Sequence, residues 1–315
     1  MTLGTPYVTP QMLMNAPTGV SWSLIPQPKS GGTPEQMAEV TSICWRATSI
    51  VDAYCNQVLR STVDNEYLQG PGAPRVGIQQ GTGNGLLVMR RWPVTQVLAI
   101  QTSSNRTFPR AWSTVPAGQY DILHPLINQY TDSASATMPD GGSSILVAPG
   151  YIVDWYGRNG QRILVSYTNG WPHSSLTASA AAGATTISVD DVTGWAGAAG
   201  FVYDGASTEP VSVTSVAATT PMQLPNGAGT AQTGPGTVTL SAPLSAAHTA
   251  GTVVSALPAS VLWATVLAAA AQALESGITS VSIQNIPGSE TTGGKGVEDL
   301  ITEYEVLLEP FRRIV

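Results

Sequence analysis

Charge is scarce in this chain. Only 10% of its 315 residues are charged, with 13 Lys and Arg against 20 Asp and Glu, so the formal net charge is −7. Typical soluble domains carry roughly 25% charged residues, and this composition excludes charge-rich intrinsic disorder. Tight binding to nucleic acid through its phosphates normally needs a basic protein, so the acidic balance disfavours that class. The low charge also predicts that much of the surface is covered in an assembly.

Cysteine and histidine are rare as well. Cys44 and Cys55 fall within one predicted helix, where their Cα atoms are about 16 Å apart, too far for a disulfide. We therefore expect two buried thiols in a reducing compartment. His124, His173 and His248 lie apart from one another in turn-like sequence. They lack metal-ligand spacing, and we expect them to be loop or surface residues.

Motifs for catalysis and for membrane insertion are missing too. The glycines at 81–85 lack the context of a dinucleotide site, and the stretch at 293–296 lacks the hydroxyl residue of a phosphate loop. We therefore expect no enzyme activity, no catalytic residues, no metal and no cofactor. The apolar run at 259–274 has 16 residues, whereas a bilayer needs about 20. Since no signal peptide pattern is visible either, no membrane contact is expected.

Apolar periodicity predicts three helices. Residues 34–59 repeat apolar side chains at spacings of three and four, after a Thr-Pro-Glu start. Residues 259–276 are apolar nearly all round, so other elements must cover this helix on most sides. Residues 297–313 set an apolar face against an acidic one. The predicted fold class is α+β, with a bundle of one long N-terminal helix and two C-terminal helices.

The remaining segments predict β-structure. Short β-prone runs within 62–170 indicate a small sheet, and Gly- and Pro-rich turns within 176–256 indicate an all-β barrel or sandwich domain. The predicted organisation is an extended arm at 1–33, a core at 34–175 and 257–315, and an inserted β-domain at 176–256.

The order of several short motifs is more specific than any one of them. In chain order they are the helix at 34–59, Leu86–Val97, Gln119–Ile122, Ile163–Pro172, the Leu257-Pro258 step and Glu309–Arg313. This order resembles the head–tail connector (adaptor) family of long-tailed bacteriophages. The resemblance covers about residues 34–172 and 257–315, and the inserted β-domain is a departure from the family pattern.

The resemblance implies a structural virion protein in the neck, made in the cytoplasm of the host bacterium. Such a protein forms a homo-oligomeric ring, typically of twelve copies, under the portal protein. It receives a stopper or tail-completion protein, and double-stranded DNA passes non-specifically through its bore. The acidic balance agrees with passage of DNA, because it repels phosphate. The alternative is a virion module that binds carbohydrate or a receptor through the inserted β-domain.

Candidate contact residues follow from these expectations. The C-terminal tail is expected to dock on the portal, with an aromatic anchor and arginine charge partners. The portal-docking candidates are Leu308, Phe311, Arg312, Arg313 and Val315. The ring-interface candidates are Trp263, Val266, Ala270 and Tyr304. The candidates for the surface of the insert are Trp195 and Tyr203.

Overall fold

The computed structural model describes residues 4–20, 22, 33–69, 76–78, 84–103, 110–123, 144–149, 151–152, 161–205, 207–275 and 296–313. The helices are α1 (Pro10–Asn15), α2 (Thr33–Cys55), α3 (Ala259–Glu275) and α4 (Val297–Leu308). The strands are β1 (Thr62–Gln69), β2 (Val76–Ile78), β3 (Gly85–Val88), β4 (Val94–Ser103), β5 (Ser113–Thr114), β6 (Tyr120–Leu123), β7 (Ser144–Val147), β8 (Arg162–Asn169), β9 (His173–Ser175), β10 (Thr186–Val189), β11 (Ala199–Asp204), β12 (Ser207–Ala218), β13 (Met222–Gln223), β14 (Thr230–Ala231), β15 (Gly236–Leu240) and β16 (Val253–Ser255).

The balance of helix and strand overturns the predicted fold class. Strand accounts for 36% of the structure and helix for 28%, so the molecule is mostly β. The prediction of a long-helix bundle with a small sheet region is therefore wrong. A helix shows in a sequence as one long periodic stripe, whereas short strands joined by turns each give a weak signal. The total strand content of many short strands is therefore higher than their individual sequence patterns indicate.

The described helices pack around one core of their own. Residues of α2, α3 and α4 share a buried cluster with α1, and the run from Ala268 to Ala271 lets α3 approach its neighbours closely. Helix α2 ends at Cys55, earlier than the predicted Leu59, because Asn56 takes a left-handed backbone with φ of 52°. Helix α4 ends at Leu308 and is followed by a 3₁₀ turn that contains Pro310.

The first described residues are packed onto the body, whereas the sequence predicted an extended arm. Tyr7, Val8 and Leu13 are fully buried in the helical core. Helix α1 begins because Thr9 caps it, accepting a hydrogen bond from the amide of Met12. Residues 4–20 are therefore an integral part of the fold.

Two four-stranded antiparallel sheets follow α2. Their strand orders are β1-β8-β4-β5 and β2-β3-β7-β6. The central strand β8 is buried along nearly its whole length, and its Tyr167 lies in a cluster shared by both sheets. Just after β8, the amide of Trp171 bonds the carbonyl of Leu59, and the amide of Ser61 bonds the carbonyl of Trp171, which holds the segment between α2 and β1 in place.

A six-stranded antiparallel sheet forms most of the β-module, which we define as residues 173–255. Its order is β10-β15-β12-β11-β16-β9, and it encloses a separate core around Trp195. Strands β9 and β16 pair directly, with Ser255 opposite His173, and the amide of Ala256 bonds the carbonyl of Pro172. The chain thus enters and leaves the module side by side, next to the start of α3.

None of the helices in the described residues combines the length and the apolarity that crossing a membrane requires.

Candidate functional site

An apolar groove of about 330 Å³ lies between the helical core and the β-module. Its lining residues come from α1, from α3, and from β11 with the turn that follows it. They are Met12, Asn15, Ala16, Tyr203, Gly205, Ala259, Leu262, Trp263 and Val266. The groove brings together two ring-interface candidates, Trp263 and Val266, with Tyr203, which had been assigned to the surface of the insert.

Helix α3 provides the apolar wall of this groove. Leu262 and Val266 are almost fully buried and Trp263 is half-buried. The other sides of α3 pack in the helical core, which explains why this helix is apolar nearly all round. Ala270 lies on one of those covered sides with no exposed surface. It is therefore unavailable to a neighbouring subunit, and its assignment to a ring interface is corrected.

Tyr304, the fourth ring-interface candidate, lies on α4 and away from the groove lining. Its ring meets the ring of Tyr54 edge to face, with centroids 6.4 Å apart. Burial raises its pKa, and the carboxylates of Glu305 and Glu275 raise it further. Tyr304 thus belongs to the α2–α4 contact of its own chain.

The opposite wall of the groove is the turn after β11. Gly205 has φ of 53°, in the left-handed region that favours glycine. Its carbonyl accepts a hydrogen bond of 3.2 Å from the side-chain amide of Asn15. This bond joins the turn after β11 to α1.

His248 fixes the same hairpin from the other side. Its side chain is only 1% exposed, with Nδ1 2.9 Å from Asp204 Oδ2 and Nε2 2.9 Å from Glu209 Oε2. A neutral imidazole has one N–H, so two carboxylate partners select the protonated ring. Burial lowers the pKa of His248, but its bonds to Glu209 and Asp204 and their charges outweigh this and raise it.

Glu209 completes this cluster. Burial raises its pKa, but hydrogen bonds from the amides of Ser245 and Ala246 and from His248 outweigh burial and lower it to about 2. The expectation of a loop or surface histidine is therefore wrong at position 248, because carboxylates distant in sequence enclose the ring. It is also wrong for His173, which is 4% exposed. His124 lies outside the described residues.

The C-terminal tail is held by its own chain. Phe311 stacks on Trp92 at 6.4 Å and meets Trp171 edge to face at 5.5 Å. Gln57 Nε2 donates to the carbonyl of Phe311 at 3.1 Å. Leu308 is fully buried in the helical core. Leu308 and Phe311 are thus not free anchors, because the helical core holds Leu308 and an aromatic cluster holds Phe311.

The two arginines of the tail lie differently. The guanidinium of Arg312 sits 5.5 Å from the centroid of the Tyr54 ring, and its Nη1 is 3.7 Å from Glu309. The amide of Arg313 bonds the carbonyl of Cys55 at 2.9 Å, and its side chain lines a polar pocket. The side chain of Arg312 is therefore exposed, and that of Arg313 is half-buried at the polar pocket. Val315 lies outside the described residues.

The β-module places its aromatic residues in two ways. Trp195 is fully buried and its Nε1 donates to Ser174 Oγ at 3.1 Å, so its assignment to the surface of the insert is corrected. Its indole ring fills the separate core that the six-stranded sheet encloses. Tyr203 is half-buried in the groove, and Phe201 beside it is 45% exposed with its centroid 6.2 Å away.

Sequence reasoning missed the strap formed by residues 5–8. The hydroxyl of Tyr7 donates to Asp52 Oδ1 at 2.5 Å and accepts from the amides of Leu59 and Arg60. Thr5 donates to Asp190 of the β-module at 2.7 Å. The strap therefore ties the end of α2 to the module. The only signal in the sequence was an aromatic residue within a Pro-rich segment.

His173 anchors the strap. Its Nε2 lies 2.9 Å from the carbonyl of Pro6, and its Nδ1 lies 2.9 Å from Ser255 Oγ. A carbonyl can only accept, so Nε2 carries the proton and Nδ1 accepts from the serine hydroxyl. Burial lowers the pKa of His173 to about 4, although the Pro6 carbonyl and Asp190 act in the opposite direction.

Within the described residues, no three His, Cys, Asp or Glu side chains are arranged to hold a metal ion. The clustered titratable groups at His248 and Tyr7 are enclosed by protein and bind other parts of the chain. Comparison of the sequence with protein-family models and with curated proteins, and a search of solved structures, finds no match.

Proposed function

We propose that this protein is a structural adaptor of a phage virion, which forms a ring of twelve copies under the portal and joins the head to the tail. The observation that carries this proposal is the apolar groove, which places Trp263 and Val266 beside Tyr203. An exposed apolar groove is typical of a binding surface, and a second polypeptide would bury its walls. Its occupant in this proposal is the next copy of the chain in the ring.

Other features support a passive structural role. In two buried clusters, at Tyr7 and at His248, the polar groups form hydrogen bonds between distant parts of the chain. The tail residue Arg312 is exposed next to a fixed aromatic cluster, where it suits a charge contact with a portal. A net charge of −7 lets double-stranded DNA pass through the bore without sticking. The stopper or tail-completion protein would bind the opposite face of the ring.

Assembly with the portal tests this proposal. The full chain is mixed with the portal protein encoded in the same genome and viewed by negative-stain electron microscopy. We expect one ring of additional density on each portal, and rings of the chain alone at high concentration. A chain that stays monomeric and does not bind the portal contradicts the proposal.

A pair of tryptophan variants tests the groove itself. Trp263→Ala removes half-buried apolar surface from the groove wall, whereas Trp45→Ala removes a half-buried tryptophan from α2, outside the lining. We expect Trp263→Ala to weaken ring formation by about tenfold or more in concentration, as for a buried aromatic contact at an interface. Equal effects of the two substitutions on ring formation would show that the groove is not part of the ring interface.

A second candidate function rests on the exposed Phe201, which lies beside Tyr203 on the β-module. Adjacent aromatic rings can stack on sugars, which is how a carbohydrate-binding module of a virion would work. A glycan array probed with the full chain and with Phe201→Ala separates this candidate from the adaptor. Binding that is lost in the variant supports it, and no binding to any sugar removes it.

A further inference from the structure

The chain contains four Asn-Gly dipeptides, at positions 84, 159, 169 and 226. In this dipeptide the amide nitrogen of the glycine can attack the side-chain carbonyl carbon of the asparagine, because glycine has no Cβ to obstruct the approach. The attack requires rotation about the bond between Cα and the carbonyl carbon of the asparagine. A fold that fixes this bond therefore protects the asparagine. The dipeptide at Asn159 lies outside the described residues, and the other three can be compared.

Hydrogen bonds hold Asn169 and Gly170 in the interior. Asn169 has no exposed surface. Its side-chain amide donates to Asp64 Oδ2 at 2.6 Å and to the carbonyl of Thr62 at 3.2 Å. The attacking group is held as well, because the amide of Gly170 donates to the carbonyl of Pro93 at 2.9 Å. Rotation at Asn169 therefore has to break buried hydrogen bonds on both reacting groups.

Strand pairing fixes the dipeptide at Asn84. Asn84 is half-buried, and Gly85 begins β3, where it pairs with Ile78 of β2 and with Val147 of β7. A Cβ added at Gly85 would clash with the side chain of Ile152, so the backbone is closely packed at this point. The peptide between Asn84 and Gly85 cannot rotate without disturbing the pairing of β3.

The dipeptide at Asn226 lies on the surface, at the tip of the β13–β14 hairpin. Both of its residues are exposed, with φ of 53° at Asn226 and 70° at Gly227. With ψ of 27° at Asn226, the nitrogen of Gly227 points away from the asparagine side chain, so this turn also has to rotate before attack. That rotation breaks the bond of 3.2 Å from the amide of Ala228 to the carbonyl of Pro225, and the bond of 3.3 Å from Asn226 Nδ2 to Gln101 Oε1. Both bonds are long and end on an exposed turn, where water can replace them.

We propose that Asn226 is a site of spontaneous deamidation. The amide nitrogen of Gly227 attacks Cγ of Asn226, an N–Cγ bond forms, the Cγ–Nδ2 bond breaks, and ammonia leaves with the proton that the nitrogen loses. Water then opens the cyclic imide at either carbonyl carbon, which gives aspartate or isoaspartate. Each event adds one negative charge to the net charge of −7. This inference goes beyond the proposed function and holds whether or not the chain forms a ring.

The modified turn belongs to the contact between the β-module and the sheet that contains β4. Leu224 and Ala231 of the hairpin share a small buried cluster with Ala99 of β4. Asn226 extends this contact through its bond to Gln101, which is also on β4. Isoaspartate lengthens the main chain of the turn by a carbon atom, and both products replace an amide that donates with a carboxylate that only accepts. Deamidation therefore loosens the hairpin from β4.

Ageing of the full chain tests the site. The protein is incubated at mildly alkaline pH, digested with pepsin at acid pH, and followed by mass spectrometry peptide by peptide, so that Asn159 is read separately. We expect Asn226 to convert at least about tenfold faster than Asn169 and Asn84, because the fold holds those two residues in place. A synthetic peptide with the sequence of residues 222–231 gives the rate without the fold. Equal rates at Asn226 and Asn169 overturn the proposal, and so does an Asn226 that stays intact while the peptide converts.

Asn226→Gln is the matched variant for the loosening, because glutamine would have to close a larger ring and does so far more slowly. Hydrogen–deuterium exchange is measured on fresh and on fully converted samples. We expect exchange in residues 222–231 of the unmodified chain to become about two- to tenfold faster on ageing, as for the loss of a hydrogen bond. The variant should show the same exchange before and after ageing. Full conversion with unchanged exchange would overturn the loosening.

Discussion

Two histidines are almost equally inaccessible to solvent, but their pKa values are shifted in opposite directions. His173 is 4% exposed and His248 is 2% exposed. His173 faces a backbone carbonyl and a hydroxyl, so the ring stays neutral and its pKa falls to about 4 through burial. His248 faces two carboxylates, and their bonds and charges outweigh burial and raise its pKa. The charge of the partners therefore decides whether the effect of burial on the ring prevails, as at His173, or is outweighed, as at His248.

The largest expected effect comes from removing the side chain that lies against His173. Tyr7→Ala should lower the free energy of unfolding by about 3–5 kcal/mol, because it opens a cavity and removes the hydroxyl that accepts from the amide of Arg60 and shares the amide of Leu59 with Asp52. Denaturant titration measures the change. Tyr67→Ala is the matched control, since Tyr67 is 58% exposed and should change stability by less than about 1 kcal/mol. Similar losses in both variants would mean that the strap does not hold the fold.

Acidification should act through His173. Its folded pKa of about 4 lies below the ordinary value of 6.5, so its contribution to stability is complete above pH 6.5. That contribution is lost as pH falls through 4, and amounts to about 3 kcal/mol at most. Denaturant titrations between pH 7 and 4 measure the decline, which His173→Gln should flatten. Glu209 acts in a lower window, from 4.5 towards 2. An unchanged slope in the variant would show that His173 is not the group responsible.

Raising the pH should act through His248 in the opposite direction. Because its folded pKa is raised above 6.5, its contribution is complete below pH 6.5 and is lost as pH rises through the folded value. Each unit by which the pKa is raised contributes about 1.4 kcal/mol. NMR titration of the ring protons should place the midpoint of His248 above 6.5 and that of His173 below it. Midpoints in the reverse order would overturn the comparison.

The smallest expected effect lies at an exposed ion pair, which contrasts with the enclosed pair at His248. Arg46 and Glu39 lie 2.8 Å apart, but their side chains are 43% and 39% exposed. Glu39→Ala should therefore change the free energy of unfolding by no more than about 0.5 kcal/mol, because water screens the pair. Thermal unfolding at low and high salt measures this. A loss comparable to that of Tyr7→Ala would contradict the role assigned to burial.

The helices are the part of the fold that the sequence indicates best. Apolar stripes at helical spacing locate α2, α3 and α4, since this pattern is local. The stop of α2 at Cys55 is less visible, because it depends on the backbone of a single residue, Asn56. The fold class was predicted wrongly because strand pairing is long-range. In the register of β1 with β8, for example, Thr62 faces Asn169.

The candidate site was predictable only in pieces. The composition of α3 indicates a helix that needs covering, which points to Trp263 and Val266. The sequence cannot show that Tyr203 joins them, because the β11–β12 hairpin must first fold against α1. The same limit explains Trp195, whose burial depends on the whole module. It also explains His248, whose carboxylate partners lie 44 and 39 residues away in sequence.

The side-by-side entry and exit of the β-module have a consequence for how such a chain can change over generations. The paired strands β9 and β16 bring the two connecting points to within about 5 Å, the spacing of neighbouring strands. A segment with such ends can be exchanged as a unit without changing the path of the chain on either side, provided that its replacement also supports the strap at residues 5–8. Recombination between genomes can thus replace the β-module while the sequence of the other elements stays the same.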